Sequence, residues 1–312
     1  MFDLPTNVLS SLKPAAKANA DDRLRLARHV MAGRIYQRLH EALEAAGIDH
    51  LVLKGPHLAS MYYERPWQRG YNDIDLLVRP VQFQSALEVL VGEGCSPKPG
   101  PAGREASRAA VYDYPMLSRE GSVVELHRDL SGQGKYPVDS DGLFRRAVDF
   151  RFDQTPAKGL ATEDLLVHLV IHAAKSQFMG IERKHLEDIR VVLSRAAVDW
   201  DVFRARATAA GCRNAAWFFL RAAENLENAA LPGKQMDAMD PGRIRRAWAG
   251  IWLDLDGFPL LRGSGRAKGV RWLLVAPVLV DRPRQLILTA ARYFRTRLAD
   301  QWLRLKHRAP GV

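Results

Sequence analysis

Two cysteines in 312 residues, Cys95 and Cys212, are too few for a disulfide framework, and neither has the CxxC spacing of a thiolate metal site. A single bridge between them is the most the chain could form. Long apolar runs are also missing. The longest, "WLLVAPVLV" at 272–280, is nine residues with a proline inside, against the roughly 20 needed to span a bilayer. The opening stretch "MFDLPTNVLSSLKPAAKANADDRL" has no basic segment leading into an apolar core, so no secretory signal is expected. Repeats and low-complexity tracts are absent. Together these absences point to a reduced, cytoplasmic, globular protein.

Acid is scarce in one place only. From Phe258 to Val312 there are twelve Lys and Arg against two Asp, which accounts for nearly all of the net charge of +11. The basic character therefore belongs to the tail. Residues 282–308 have helical spacing, with Leu286, Leu288, Ala291, Phe294, Leu298, Trp302 and Leu305 near one stripe and arginines on the other faces. Such a helix could dock on the protein's own helices, meet nucleic acid, or lie on a membrane surface. "RGSGR" at 262–266 reads as a flexible connection, because no apolar strand leads into it.

What is present is ordinary globular material, 47% hydrophobic and 26% charged. Residues 22–46 predict a helix with Leu24, Ala27, Val30, Met31 and Ile35 on one stripe, stopped by Gly47. A buried strand at 50–55 follows, then a helix over about 57–63 and a second strand, "DIDLLV", at 73–78. Pro80 opens another helix that Gly92 and Gly94 end. "AAVYDYPML" and "SVVELHRDL", joined by "SREGS", predict a hairpin. Past residue 155 strand signals fade and helices are expected at about 162–176, 183–196, 199–210, 213–228, 242–254 and 284–305. The fold class expected is α+β: a small mixed sheet with flanking helices in residues 1–155, then a helical domain in 156–312. "DQTPAKG" at 153–159 is the linker candidate.

The chemistry concentrates in "RGYNDIDLLV". Strand side chains alternate, so Asp73 and Asp75 share one face while Ile74, Leu76 and Val78 enter the core. Two carboxylates held that close repel, and burying them without a partner is costly. A divalent cation is the natural compensation, and Mg²⁺ prefers oxygen ligands. Glu125, with His127 on its face, places a third acid in another apolar strand, "VVELHRDL". The competing reading of a lone D-x-D is a solvated sheet face. Gly55, after one strand and before a helix, could sit in a phosphate-binding turn with Lys54 adding charge, or in an ordinary left-handed turn. His168 and His172 at i,i+4 could ligate a metal but lack a third ligand at helical spacing. Asp188 could pair with Lys184 on its own helix.

"LVLKGPHLASMYYERPWQRGYNDIDLLVRP" resembles the signature of the uncharacterised nucleotidyltransferase family within the DNA polymerase β-like superfamily. That family has an L-K-G turn and an arginine four residues before D-I-D-L-L-V, matched by Lys54, Gly55, Arg69, Asp73 and Asp75. Its E-L-H strand is matched by Glu125, Leu126 and His127, and the likeness covers about residues 30–230. Two positions depart: Pro56 stands where the superfamily usually has a second Gly or Ser, and Arg128 where an aromatic is common. The resemblance implies that Asp73, Asp75 and Glu125 hold two Mg²⁺ and act in catalysis. It also implies that Lys54, Gly55, Arg69 and His127 bind the nucleotide, an NTP and in first place ATP. Transfer of a nucleoside monophosphate to a hydroxyl, with release of pyrophosphate, is the activity expected. The acceptor would be a peptide, a protein or a small molecule. For Arg69 the competing role is a salt bridge to one of the two aspartates; for His127 it is to orient Glu125, to touch the acceptor or simply to be a satisfied strand histidine. Other readings are a non-catalytic, antitoxin-like nucleotide-binding module and an RNA-modifying enzyme gripping its substrate with the basic tail.

Overall fold

A computed structural model describes residues 20–99, 113–131, 136–176, 183–253 and 275–287. Helix α1 (Ala20–Ala45) leads through Gly47, at φ +68°, into strand β1 (His50–Val52), helix α2 (Lys54–Met61) and strand β2 (Asp73–Val78). Next come α3 (Phe83–Gly92), β3 (Ser96–Pro97) and the hairpin of β4 (Asp113–Leu117) and β5 (Val123–His127). Gly121 turns that hairpin at φ +81°, as its glycine predicts. Strand order is β1-β2-β5-β4-β3. All pairs are antiparallel except β2–β5, whose parallel register sets Asp75 opposite Glu125 and Leu77 opposite His127. This is the small mixed sheet that the alternation of apolar residues predicts.

After α4 (Ser140–Arg145), β6 (Val148–Phe152) and β7 (Thr155–Gly159) form a separate two-stranded hairpin. Residues 153–159, expected as a linker, are therefore its turn and second strand. Thr155, Ala157 and Gly159 are buried while Pro156 and Lys158 are exposed. The alternation is real, but small residues inside and Pro and Lys outside make it resemble a loop. Helices follow: α5 (Thr162–Ser176), α6 (Arg183–Arg195), α7 (Trp200–Ala209), α8 (Arg213–Glu227), α9 (Gly233–Ala238) and α10 (Arg243–Leu253), with short helical turns at 275–279 and 283–287. Most of the predicted tail helix, and all of "RGSGR", lies outside the described residues. No described helix is long and apolar enough to cross a membrane.

Two apolar clusters flank the sheet. Val52, Ile74, Leu76, Val78, Val124 and Leu126 face α1 and α3, together with Phe150, Phe152 and Ala157 of the second hairpin. Leu51, Leu53 and Leu77 point the other way and join a larger cluster that continues through α5–α8, including Phe203, Phe218 and Phe219. The stripe expected for α1 is corrected. Its buried face is Ala32, Ile35, Tyr36, Leu39 and Leu43, whereas Leu24 and Met31 are exposed. Cys95 and Cys212 are both buried and free, so the single conceivable bridge is not made.

Candidate active site

Strand β2 is an interior strand of the sheet, between the edge strand β1 and the central strand β5. Alternation sends Ile74, Leu76 and Val78 into the α1-facing core, and therefore Asp73 and Asp75 to the opposite face. The parallel register then brings Glu125 alongside Asp75. Ligand atoms of Asp75, Glu125 and His127 all lie within 4.8 Å of one another. Asp73, one pleat earlier on the same face, is outside that tight group yet close enough for the Asp75 charge to act on it.

Asp75 is 1% exposed and has two donors. The Lys54 ammonium lies 2.8 Å from its Oδ2, and His127 Nε2 donates to its Oδ1 at 3.0 Å. Burial alone would raise the Asp75 pKa, but Lys54 and His127 outweigh it and hold the carboxyl far below the usual range. The neighbouring acids are helped less: Lys54 and His127 act on both through their charge, with His127 Nε2 3.7 Å from a Glu125 oxygen, and do not outweigh the opposing causes. Burial and then the Asp75 charge raise Asp73, and the same two causes push Glu125 up to about 7. The site thus carries more negative charge than its own cations neutralise, a donor set that fits a hard divalent cation.

Lys54 reaches Asp75 because the backbone bends sharply after β1. Leu53 N–H still bonds the Asp75 carbonyl at 2.9 Å, extending the ladder, and Lys54 then adopts φ +36°. That region is uncommon for a residue with a side chain. The left-handed residue is thus Lys54 and not Gly55, contrary to the ordinary reading of the turn. Gly55 is required for a different reason: a Cβ there would sit 2.7 Å from the Tyr71 Cβ. Helix α2 also starts earlier than the sequence predicts, with Gly55 and Pro56 in its first turn. A proline is tolerated there because that N–H has no intrahelical acceptor anyway.

Arg69 pairs with neither strand aspartate. Its Nε and Nη2 donate to the two oxygens of Asp188 on α6, at 2.6 and 2.7 Å. Tyr63 adds its hydroxyl at 2.9 Å, and the Asp188 side chain is 1% exposed. The expected Lys184–Asp188 pair within α6 gives way to this bidentate pair across the fold, which suits the geometry of guanidinium and carboxylate. Sequence reasoning singles out Asp188 but with Lys184 as its partner, and misses Tyr63 altogether. The available signal is the helical spacing in "HLEDIRVV", which puts Asp188 on the buried stripe with His185, Leu186, Ile189 and Val192. Beside this pair a cleft of about 320 Å³ is lined by Arg25, Arg28, Arg69, Tyr71, Asn72 and Lys184. His168 and His172 stand on α5 with ring centroids 6.4 Å apart, and His172 tilts against His185 at 4.9 Å.

A family model described as an uncharacterised nucleotidyltransferase matches residues 2–228, well over half of the chain. The chain belongs to that nucleotidyltransferase family. It is a transferase enzyme, and the expected resemblance holds. Among proteins of curated function, none matches the sequence. Solved structures similar to this nucleotidyltransferase are distant. The antibiotic-resistance factor ANT(2'')-Ia is 14% identical over 57% of this chain and 91% of its own, with a TM-score of 0.38. The lincosamide antibiotic adenylyltransferase LnuA is 11% identical over 58% of this chain and 100% of its own, at 0.33. An antigenic nucleotidyltransferase-like protein from Paracoccidioides brasiliensis is 15% identical over 58% of this chain and 80% of its own, at 0.32.

Proposed function

We propose that this nucleotidyltransferase moves the nucleoside monophosphate of an NTP, ATP in first place, to a hydroxyl of a small-molecule, peptide or protein acceptor, releasing pyrophosphate. The observation that carries the reading is the pairing of buried Asp75 with half-buried Glu125 across two adjacent parallel strands, where Lys54 and His127 hold Asp75 ionised while Glu125 is left with its pKa raised. Asp73, Asp75 and Glu125 would hold Mg²⁺, two ions in all. When bound, the ions neutralise the triphosphate and polarise the attacking oxygen.

The protein's own groups have separate tasks in this scheme. His127 fixes the orientation of Asp75 by its hydrogen bond. Lys54, held at Asp75, can turn its ammonium toward a phosphate oxygen with little displacement. Gly55 lets the chain pass close to Tyr71, keeping that approach open. Arg69, with Nε and Nη2 on Asp188 and Nη1 on the Gly70 carbonyl, is held in place to lend its charge to phosphate in the basic cleft. Residues 1–155 would thus handle the nucleotide, while the helical half, residues 156–312, supplies Asp188 and Lys184.

Titration with an α,β-methylene ATP analogue, with and without Mg²⁺, tests the proposal. Binding that needs Mg²⁺ and weakens by roughly tenfold or more in both Asp75→Asn and Glu125→Gln is expected. Nucleotide binding indifferent to both substitutions in folded protein would put the NTP elsewhere and end this reading.

A further inference from the structure

Away from the acids, a different cluster of ligating atoms is built where α1 meets the edge strand. His40 and Glu44 sit one turn apart near the C-terminus of α1, and His50 opens β1. One ligand atom from each lies within 4.8 Å of the others. We propose that His40, Glu44 and His50 bind a divalent transition cation of the zinc class, which staples the end of α1 to β1.

The case rests on the orientation of His50. Its Nδ1 lies 3.2 Å from the Ile48 carbonyl, which can only accept, so Nδ1 carries the proton. In the neutral ring the Nε2 lone pair is then left facing His40 Nδ1 at 3.1 Å. An imidazole whose other nitrogen donates to a backbone carbonyl is the arrangement that metal-binding histidines adopt. Two nitrogens on one tetrahedral Zn²⁺ are about 3.3 Å apart, given Zn–N of about 2.0–2.1 Å, so little movement is required. Tyr36 braces the pair. Its ring stacks on His40 with centroids 5.5 Å apart, and its hydroxyl lies 3.3 Å from His50 Nε2 and 3.5 Å from the Pro156 carbonyl. When a cation takes Nε2, that hydroxyl keeps the carbonyl as its acceptor. Glu44 is exposed, so water can fill the fourth position.

The ligand types set the selectivity. Two imidazoles and one carboxylate suit Zn²⁺, Co²⁺ or Ni²⁺ and not Mg²⁺. The site is also independent of the acids. His50 is registered with Val78, on the α1 face of the sheet, whereas Asp73, Asp75 and Glu125 occupy the opposite face.

Zn²⁺ titration of tag-free protein in excess Mg²⁺ tests the assignment, using wild type, Asp75→Asn, His40→Ala and Glu44→Ala. One Zn²⁺ per chain is expected in wild type and in Asp75→Asn, with a rise in melting temperature. Affinity should fall by roughly tenfold or more in His40→Ala, a partly exposed position that should fold normally. Co²⁺ in wild type should give the intense visible bands of a four-coordinate site, lost in Glu44→Ala or His40→Ala. No Zn²⁺ binding in wild type, or binding unchanged in His40→Ala, would overturn the site and leave a simple histidine–histidine hydrogen bond.

Discussion

Replacing Glu125 by Gln should make the metal-free protein more stable while weakening its hold on metal. Burial and the Asp75 charge lift the Glu125 carboxyl from 4.5 to about 7. Below pH 4.5 the side chain is protonated whether the chain is folded or not, and no penalty applies. As pH rises from 4.5 to 7 the unfolded chain ionises while the folded one resists, so stability is lost across that window. Above pH 7 the full cost is present, about 3 kcal/mol from the size of the displacement, with under about 1 kcal/mol at pH 5. Gln keeps the shape and cannot ionise. At pH 8 in chelator, Glu125→Gln should therefore melt roughly 4–5 °C above wild type if the chain unfolds as one unit, and within about 1 °C at pH 5. Added Mg²⁺ should raise the wild-type melting temperature and leave the variant nearly unmoved. A variant no more stable than wild type at pH 8 would refute the reasoning, because the excess charge inferred at the site would not exist.

The pair between Arg69 and Asp188 gives a second expectation. Arg69→Met leaves a carboxylate at 1% exposure with Tyr63 as its remaining donor, and should cost about 3–5 kcal/mol in urea unfolding. Arg69→Met with Asp188→Leu should recover much of that loss while nucleotide affinity stays impaired. Lys54→Met strips Asp75 of its counter-ion and should destabilise metal-free protein by a comparable amount, with a smaller deficit once Mg²⁺ is added. Gly55→Ala should cost about 1–3 kcal/mol, since its Cβ would collide with Tyr71. Thermal or urea denaturation decides each case.

What the sequence made legible was local. Asp73 and Asp75 could be assigned to one face because a period of two leaves no choice once Ile74, Leu76 and Val78 are taken as core. Glu125 could be recognised as an acid out of place in a strand, but not its register: the parallel pairing with Asp75 depends on a crossover through α3, β3 and β4. The partner of Arg69 was hidden by the 119 residues that separate it from Asp188. Helix α1 misled because a long, charged helix offers overlapping apolar stripes, and only the neighbours it meets choose between them. Histidines 40 and 50 drew no attention, since neither is unusual until the turn at Gly47 folds them together.

The hairpin of β6 and β7 is a seam and not a gap. Phe150, Phe152 and Ala157 belong to the core under α1, Leu160 belongs to the helical core, and Gly159 presses so closely on His57 of α2 that a Cβ would lie 2.5 Å from the ring. Within 148–160 the chain is thus joined to both cores by its inward residues, while Asp149, Arg151, Pro156 and Lys158 face out. A chimera that crosses between relatives within that stretch would inherit a mismatched seam, and a fragment ending there would lose one side of each core. The halves of this enzyme are therefore poor candidates for exchange as modules, however abruptly the sequence changes character at residue 155.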